Sequence, residues 1–273
     1  MNLCIYHGNC ADGFGAAWVV KRAFGDIEFY PGVYQKPPPD VTGKDVVMVD
    51  FSYKRPVILE MANIANSILI IDHHKTAYDD LTELPNNVTV VFDIEHSGSM
   101  LTWNYFFPDQ KPPMLLQHIE DRDLWRFVIK DTRNIQASIF SYPYDFNVWD
   151  TLMETDLQML AKEGVAIERK HFKDIKELIS VTSRKMFIGG YLVPVANLPY
   201  TMSSDAGHEL AKGYAFAACY MDTPNGREFS LRSSDDGIDV SEIAKQYGGG
   251  GHKHAAGFRV SFEKAYAFEV IDK

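Results

Sequence analysis

Three apolar runs in this chain each stop at acids or imidazoles. Ile70-Ile71 leads into Asp72-His73-His74, and Leu3-Cys4-Ile5-Tyr6 leads into His7 with Asp12 close behind; Val46-Val47-Met48-Val49 ends at Asp50. Strands that terminate in such residues are how a parallel sheet concentrates ligands along one edge. Carboxylates and imidazoles without a thiolate cluster suit Mn2+, Mg2+ or Zn2+, and the His and Asp mixture favours Mn2+. Two such ions about 3.5 to 4 Å apart clamp a phosphoryl group and lower the pKa of a shared water, which is hydrolase chemistry. Glu120-Asp121-Arg122-Asp123 adds acids to this inventory, although alone it reads as a charged helix face. Asp50-Phe51-Ser52 alone reads as a helix N-cap.

Two further clusters suit phosphate. His96-Ser97-Gly98-Ser99 follows an expected strand and opens an expected helix, so the amides and hydroxyls of His96, Ser97 and Ser99 could hold an anion at the helix N-terminus, where an ordinary serine cap is the competing reading. Gly248-Gly249-Gly250-Gly251-His252 is followed by Lys253-His254-Ala255-Ala256-Gly257. Consecutive glycines are entropically costly and are kept where backbone must approach something closely, and the basic residues that follow argue against a flexible spacer. Arg232, at the end of Phe229-Ser230-Leu231, could reach the same anion with its fork of donors.

Positioning these residues requires alternating strands and helices. Expected strands at Leu3–Tyr6, Val46–Val49, Ser67–Ile71 and Val88–Phe92 alternate with amphipathic stretches, among them a helix opened by Gly13 and one over Leu115–Ile119. From Asp150 to Thr182 the spacing is helical, with Gly164 expected to divide it. After Gly189-Gly190, strands at Tyr191–Ala196, Tyr214–Met221 and Phe229–Arg232, with helices near 204–212 and 240–247, give a small mixed sheet. The expected fold is α/β. Residues 1–150 form a metal-binding domain on a parallel sheet, 151–185 a helical connector, and 186–273 a smaller mixed α/β substrate-binding domain carrying the Gly-rich segment.

Bulk properties narrow the function. A formal net charge of -10 argues against coating long nucleic acid, which depends on many Lys and Arg contacts to phosphate. No apolar run has membrane-spanning length and the start lacks a secretory pattern, so a cytoplasmic protein is expected. Cys4, Cys10 and Cys219 are too few and scattered for a disulfide framework; Cys4 reads as packing, whereas Cys10 lies within the first ligand cluster.

On these residues the chain resembles the DHH phosphoesterase superfamily, in the branch with the DHH-associated C-terminal domain. His7 to Gly13, Asp50, Asp72-His73-His74 and Asp121 carry the N-terminal likeness; Ser230-Leu231-Arg232-Ser233, Gly248 to His252 and Ala255-Ala256-Gly257 carry the C-terminal one. The resemblance implies manganese-dependent phosphoester hydrolysis. It implies His7, Asp12, Asp50, His73 and Asp121 as metal ligands, with Asp50 bridging two ions and acting in catalysis with Asp72 and His74. Asp72 would orient the histidines and His74 would contact the scissile phosphate. Gly249, Gly250, Gly251, His252 and Arg232 would grip a substrate terminus. The family's first motif usually has an acid where this chain has Cys10. A Cys10 thiolate would favour zinc; without it one metal is held loosely. Asp121 is preferred to Asp123 because it follows the apolar run ending at Ile119 more closely. The implied activity is release of nucleoside monophosphates from short single-stranded oligonucleotides by a protein compatible with a homodimer. A phosphomonoesterase for 3'-phosphoadenosine 5'-phosphate, a dinucleotide hydrolase and a non-catalytic nucleotide sensor are the alternatives.

Overall fold

The computed structural model describes residues 1–34 and 36–268; residues 269–273, the end of the expected C-terminal domain, lie outside the described residues. The chain divides into two compact units, Met1–Glu168 and Arg169–Lys273.

In the first unit, β1 (Leu3–His7), α1 (Ala11–Phe24), β2 (Glu28–Gly32), β3 (Asp45–Val49), α2 (Arg55–Ala62), β4 (Ser67–Asp72) and β5 (Val88–Phe92) follow in order. The strands form a sheet in the order β2-β1-β3-β4-β5, every pair parallel. The chain leaves β1 outward to β2, then returns to the other side of β1 with β3. β1 and β3 therefore flank the switch point, and a crevice opens beyond their C-terminal ends. Both faces of the sheet are covered, which is why the strands read as unbroken apolar runs. Leu3, Ile5, Val46, Met48, Ile68 and Ile70 pack with Ile58 and Met61 of α2. Cys4, Val47, Val49, Leu69 and Ile71 pack with Ala16, Ala17 and Val20 of α1. Each fully buried aliphatic side chain contributes about 1.5–3 kcal/mol.

The unit continues through α3 (Gly98–Phe106), α4 (Met114–Asp123), α5 (Thr132–Ile139), α6 (Phe146–Glu154) and the start of α7 (Leu157–Thr182). Phe14, Trp18, Trp103, Leu116, Ile119, Ile139 and Trp149 form the core of this helical layer. The expected division at Gly164 does not occur. A Cβ there would lie 1.7 Å from the carbonyl oxygen of Asn134, so the glycine lets an uninterrupted α7 approach the backbone of α5. Among the described residues, no helix is long and apolar enough to cross a membrane.

The second unit holds the rest of α7, then β6 (Arg184–Ile188), β7 (Tyr191–Asn197), α8 (Ser203–Ala211), β8 (Ala217–Thr223), β9 (Gly226–Arg232), α9 (Val240–Lys245), β10 (Gly250–His252), β11 (Ala255–Val260) and α10 (Phe262–Tyr266). Its sheet runs β10-β11-β9-β8-β7-β6; β7 and β8 pair parallel across the α8 crossover, and the other neighbours pair antiparallel. Phe229, Leu231 and Phe258 pack on Val240, Ile243 and Ala244 of α9. The helical spacing read up to Thr182 is α7, whereas Gly189-Gly190, at φ 58° and 85°, is the turn of a β6–β7 hairpin whose first strand the spacing did not reveal.

Candidate active site

Asp50 is the geometric centre of the site. It follows β3 directly and holds a left-handed backbone, φ 54°, while its amide donates to the carbonyl of Ile71 at 2.9 Å. Non-glycine residues held in this region concentrate at functional sites. Gly98, first residue of α3, makes room for it: a Cβ at position 98 would come within 2.4 Å of the Asp50 Cβ. Gly13 serves His7 similarly, since a Cβ there would lie 2.3 Å from the His7 carbonyl oxygen.

The β4 end delivers the histidines. Asp72 Oδ1 accepts the backbone N–H of His73 at 2.8 Å, that of His74 at 3.2 Å and the ring Nδ1 of His74 at 2.8 Å. Asp72 thus fixes the backbone of both histidines and the ring of His74. His73 Nε2 then lies 3.0 Å from Asp50 Oδ1, 3.9 Å from Asp12 Oδ2 and 3.6 Å from Asp123 Oδ2. On the other side of Asp50, His7 Nδ1 is 3.4 Å from Oδ2 and the His7 and His74 rings meet edge-on at 5.4 Å. In each of two sets, Asp12-Asp50-His73 and His7-Asp50-His74, ligand atoms lie within 4.8 Å of one another. Asp50 belongs to both. Cys10 belongs to neither; it is the residue before α1 and its thiol lies beside His7.

Burial sets the electrostatics. It drives the carboxyls of Asp12 and Asp123 up, and for Asp12 the neighbouring charges of Asp50 and Asp123 push further. Burial would also raise Asp50, but the close imidazoles of His7 and His73 outweigh it and hold this carboxyl well below the usual range. Burial opposes protonation of His73, yet Asp50 and the surrounding acids push its imidazole up to about 10. Among the described residues, Asp12 Oδ2, Asp50 Oδ2 and Asp123 Oδ2 are buried oxygens without a hydrogen bond. Buried carboxylate oxygens that are left unpaired and converge on imidazoles fit divalent cations, which would supply the missing positive charge.

Several expected site residues lie elsewhere or do something else. Asp121 does not face the cluster. Its carboxylate accepts the amides of Val128 at 2.9 Å and Ile129 at 3.1 Å and the Thr132 hydroxyl at 2.6 Å, so it is engaged in the turn after α4. Asp123, with Oδ2 3.6 Å from His73 Nε2, is the acid of this segment that faces the cluster. Ser97 and Ser99 hold an anion, but that anion is Asp12: its Oδ1 accepts both hydroxyls and the Ser99 amide. His96 pairs with Glu120 through Nδ1 at 2.7 Å. The glycines 249 to 251 approach the protein's own backbone rather than opening a loop. Gly250, Gly251 and His252 form β10, opposite Gly257, Ala256 and Ala255 of β11. A Cβ on Gly249 would lie 2.0 Å from the Gly257 carbonyl oxygen. Arg232 donates to Ser204 Oγ at 2.8 Å and to the Leu231 carbonyl. Tyr34, which no sequence signal singles out, packs its ring edge-on against His7 at 5.5 Å and near His74 at 6.1 Å.

A doubly wound parallel sheet with an acid-imidazole cluster at its switch point is thus followed by a mixed-sheet unit. Residues 208–269 match the DHHA1 domain family. The whole chain is 33% identical to Uncharacterized protein R106 of Acanthamoeba polyphaga mimivirus, spanning 70% of that protein. Over 95% of its length it is 25% identical to Oligoribonuclease NrnB of Bacillus subtilis, spanning 73% of it. The crystal structure of RecJ in complex with Mn2+ from Thermus thermophilus shares the fold, with a TM-score of 0.51 at 13% identity over 97% of this chain and 52% of that one. The chain belongs to the DHH superfamily of phosphoesterases.

Proposed function

We propose that this protein is a divalent-metal-dependent phosphodiesterase, with Mn2+ as the preferred ion, that releases nucleoside monophosphates from short single-stranded oligonucleotides. The observation that carries this reading is the sharing of Asp50 between two ligand sets. His7 would hold one ion with Asp50, and Asp12, His73 and Asp123 would hold the other. When bound, such ions supply a nucleophilic water at neutral pH and offset charge on the phosphoryl oxygens. The likeness to a protein named an oligoribonuclease supports the substrate class.

The remaining work falls to the chain's own groups. Asp72 holds the His73 and His74 backbone amides and the His74 ring, while the His73 ring is held by Asp50. His74, with Nδ1 fixed on Asp72, is the proposed contact to a non-bridging phosphoryl oxygen. A hydrogen bond from its ring would meet the charge that develops there. In the second unit, Arg232 and His252 are the proposed contacts for a terminal phosphate.

The test is incubation of the purified protein with Mn2+ and a panel of labelled dinucleotides, longer single-stranded RNA and DNA, and 3'-phosphoadenosine 5'-phosphate. Products are resolved by length and end chemistry. Monophosphate release from dinucleotides and short oligomers supports the reading; turnover of the bisphosphate alone, or none, overturns it.

A further inference from the structure

Three acids occupy four positions at the C-terminal end of α4, where the helix dipole disfavours negative charge. Asp123 faces the cluster; the other two reach elsewhere. Glu120 Oε1 accepts from His96 Nδ1 at 2.7 Å and from the Ser97 amide at 3.3 Å. It therefore fixes the segment that enters α3, from which Ser97 and Ser99 grip Asp12. Asp121 fixes the chain on the other side of Asp123. Besides the three donors on its carboxylate, its carbonyl accepts the amides of Arg126 at 2.8 Å and Phe127 at 3.2 Å. The turn so held contains Trp125, Phe127 and Asp131 at φ 56°, 51° and 66°, left-handed conformations that non-glycine residues keep only when their surroundings over-determine them. The same turn reaches back to the first segment, because Arg126 donates to the Glu95 carbonyl at 2.7 Å.

We infer that Glu120 and Asp121 are positioning residues that together set where Asp12 and Asp123 stand on either side of His73. Glu120 acts through Ser97 and Ser99 on Asp12, and Asp121 acts through the strained turn on Asp123. The inference rests on the reading of Asp12 and Asp123 as metal ligands.

The experiment is calorimetric titration of the full-length protein with Mn2+, beside thermal melts of the metal-free forms. The variants are Glu120→Ala, Glu120→Gln, Asp121→Asn and, as a destabilising control in the helical core, Leu152→Ala. Glu120→Ala and Asp121→Asn are expected to weaken Mn2+ binding by about 10- to 100-fold, the range for residues that orient metal ligands. Glu120→Gln keeps the acceptor oxygen and is expected to bind like wild type, and Leu152→Ala to melt earlier with unchanged affinity. Wild-type affinity in Glu120→Ala and Asp121→Asn, or weakening no greater than in Leu152→Ala, overturns the inference. Should Asp121→Asn fail to fold, the Glu120 pair decides. A wild-type protein that binds no Mn2+ overturns the underlying reading instead.

Discussion

Ser99 donates both its backbone N–H and its hydroxyl to one oxygen of Asp12, leaving the other oxygen 3.9 Å from His73 Nε2. One carboxylate is thus divided between a fixed side and a reactive side. Hydrogen bonds to a charged group contribute about 1.5–3 kcal/mol each. The double variant Ser97→Ala/Ser99→Ala removes two such bonds, should lower the unfolding free energy by about 3–6 kcal/mol, and should suppress Mn2+-stimulated turnover in the protein that remains folded. Unchanged turnover in a folded double variant would show that Asp12 needs no such clamp.

Gly98 gives the site a steric test. Since a Cβ there would meet Asp50 at 2.4 Å, Gly98→Ala must move one of them. A shift of about 1 Å at a reacting centre costs on the order of 100-fold in rate. Gly43→Ala, at φ 65° with open space around it, should cost stability of about 1 kcal/mol and leave the rate alone. Comparing kcat for the two variants checks this, and equal rates would refute the crowding argument.

Asp123 and Asp121 separate function from structure. Asp123→Asn removes a half-buried carboxylate whose ionisation burial disfavours, and should leave the metal-free protein at least as stable as wild type while suppressing turnover. Chemical denaturation alongside the activity assay reads both. Loss of stability together with retained activity would return the ligand role to another acid.

His118 provides a pH signature away from the cluster. Burial lowers its pKa and leaves it neutral, with Nδ1 2.8 Å from the Thr132 hydroxyl. A depressed folded-state pKa means that the unfolded chain takes up a proton first. Stability is therefore complete above about pH 6.5 and falls as pH drops from there toward the folded-state value. Melts of the metal-free protein should show that decline, and His118→Gln should flatten it. An identical slope in the variant would assign the acid sensitivity elsewhere.

The strand ends were the most legible part of the sequence. Val46–Val49 and Ile68–Ile71 are buried on both faces, so their apolar runs are unbroken and the acids after them are conspicuous. β2 escaped notice because it is an edge strand containing Pro31 and Gly32, a composition that reads as a turn. The C-terminal glycines were legible as a place of close approach, but not as to what approaches: the partner is the backbone of β11, more than five residues on for Gly249. Asp121 and Asp123 lie about 200° apart around α4, and spacing from Ile119 cannot say which of them faces the cluster. That is decided by hydrogen bonds from Val128, Ile129 and Thr132, whose positions depend on a left-handed turn that no local propensity announces.

Asp50 is the proposed shared ligand of both ions, and one variant tests that role most directly. Asp50→Asn keeps a side chain that tolerates the left-handed backbone but removes the charge. With Mn2+ and a labelled dinucleotide, wild type should release nucleoside monophosphate, and folded Asp50→Asn should lose at least about a thousandfold in rate, the scale expected when charge stabilisation at the reacting centre is removed. Equal release by both proteins, or none by wild type, would contradict it.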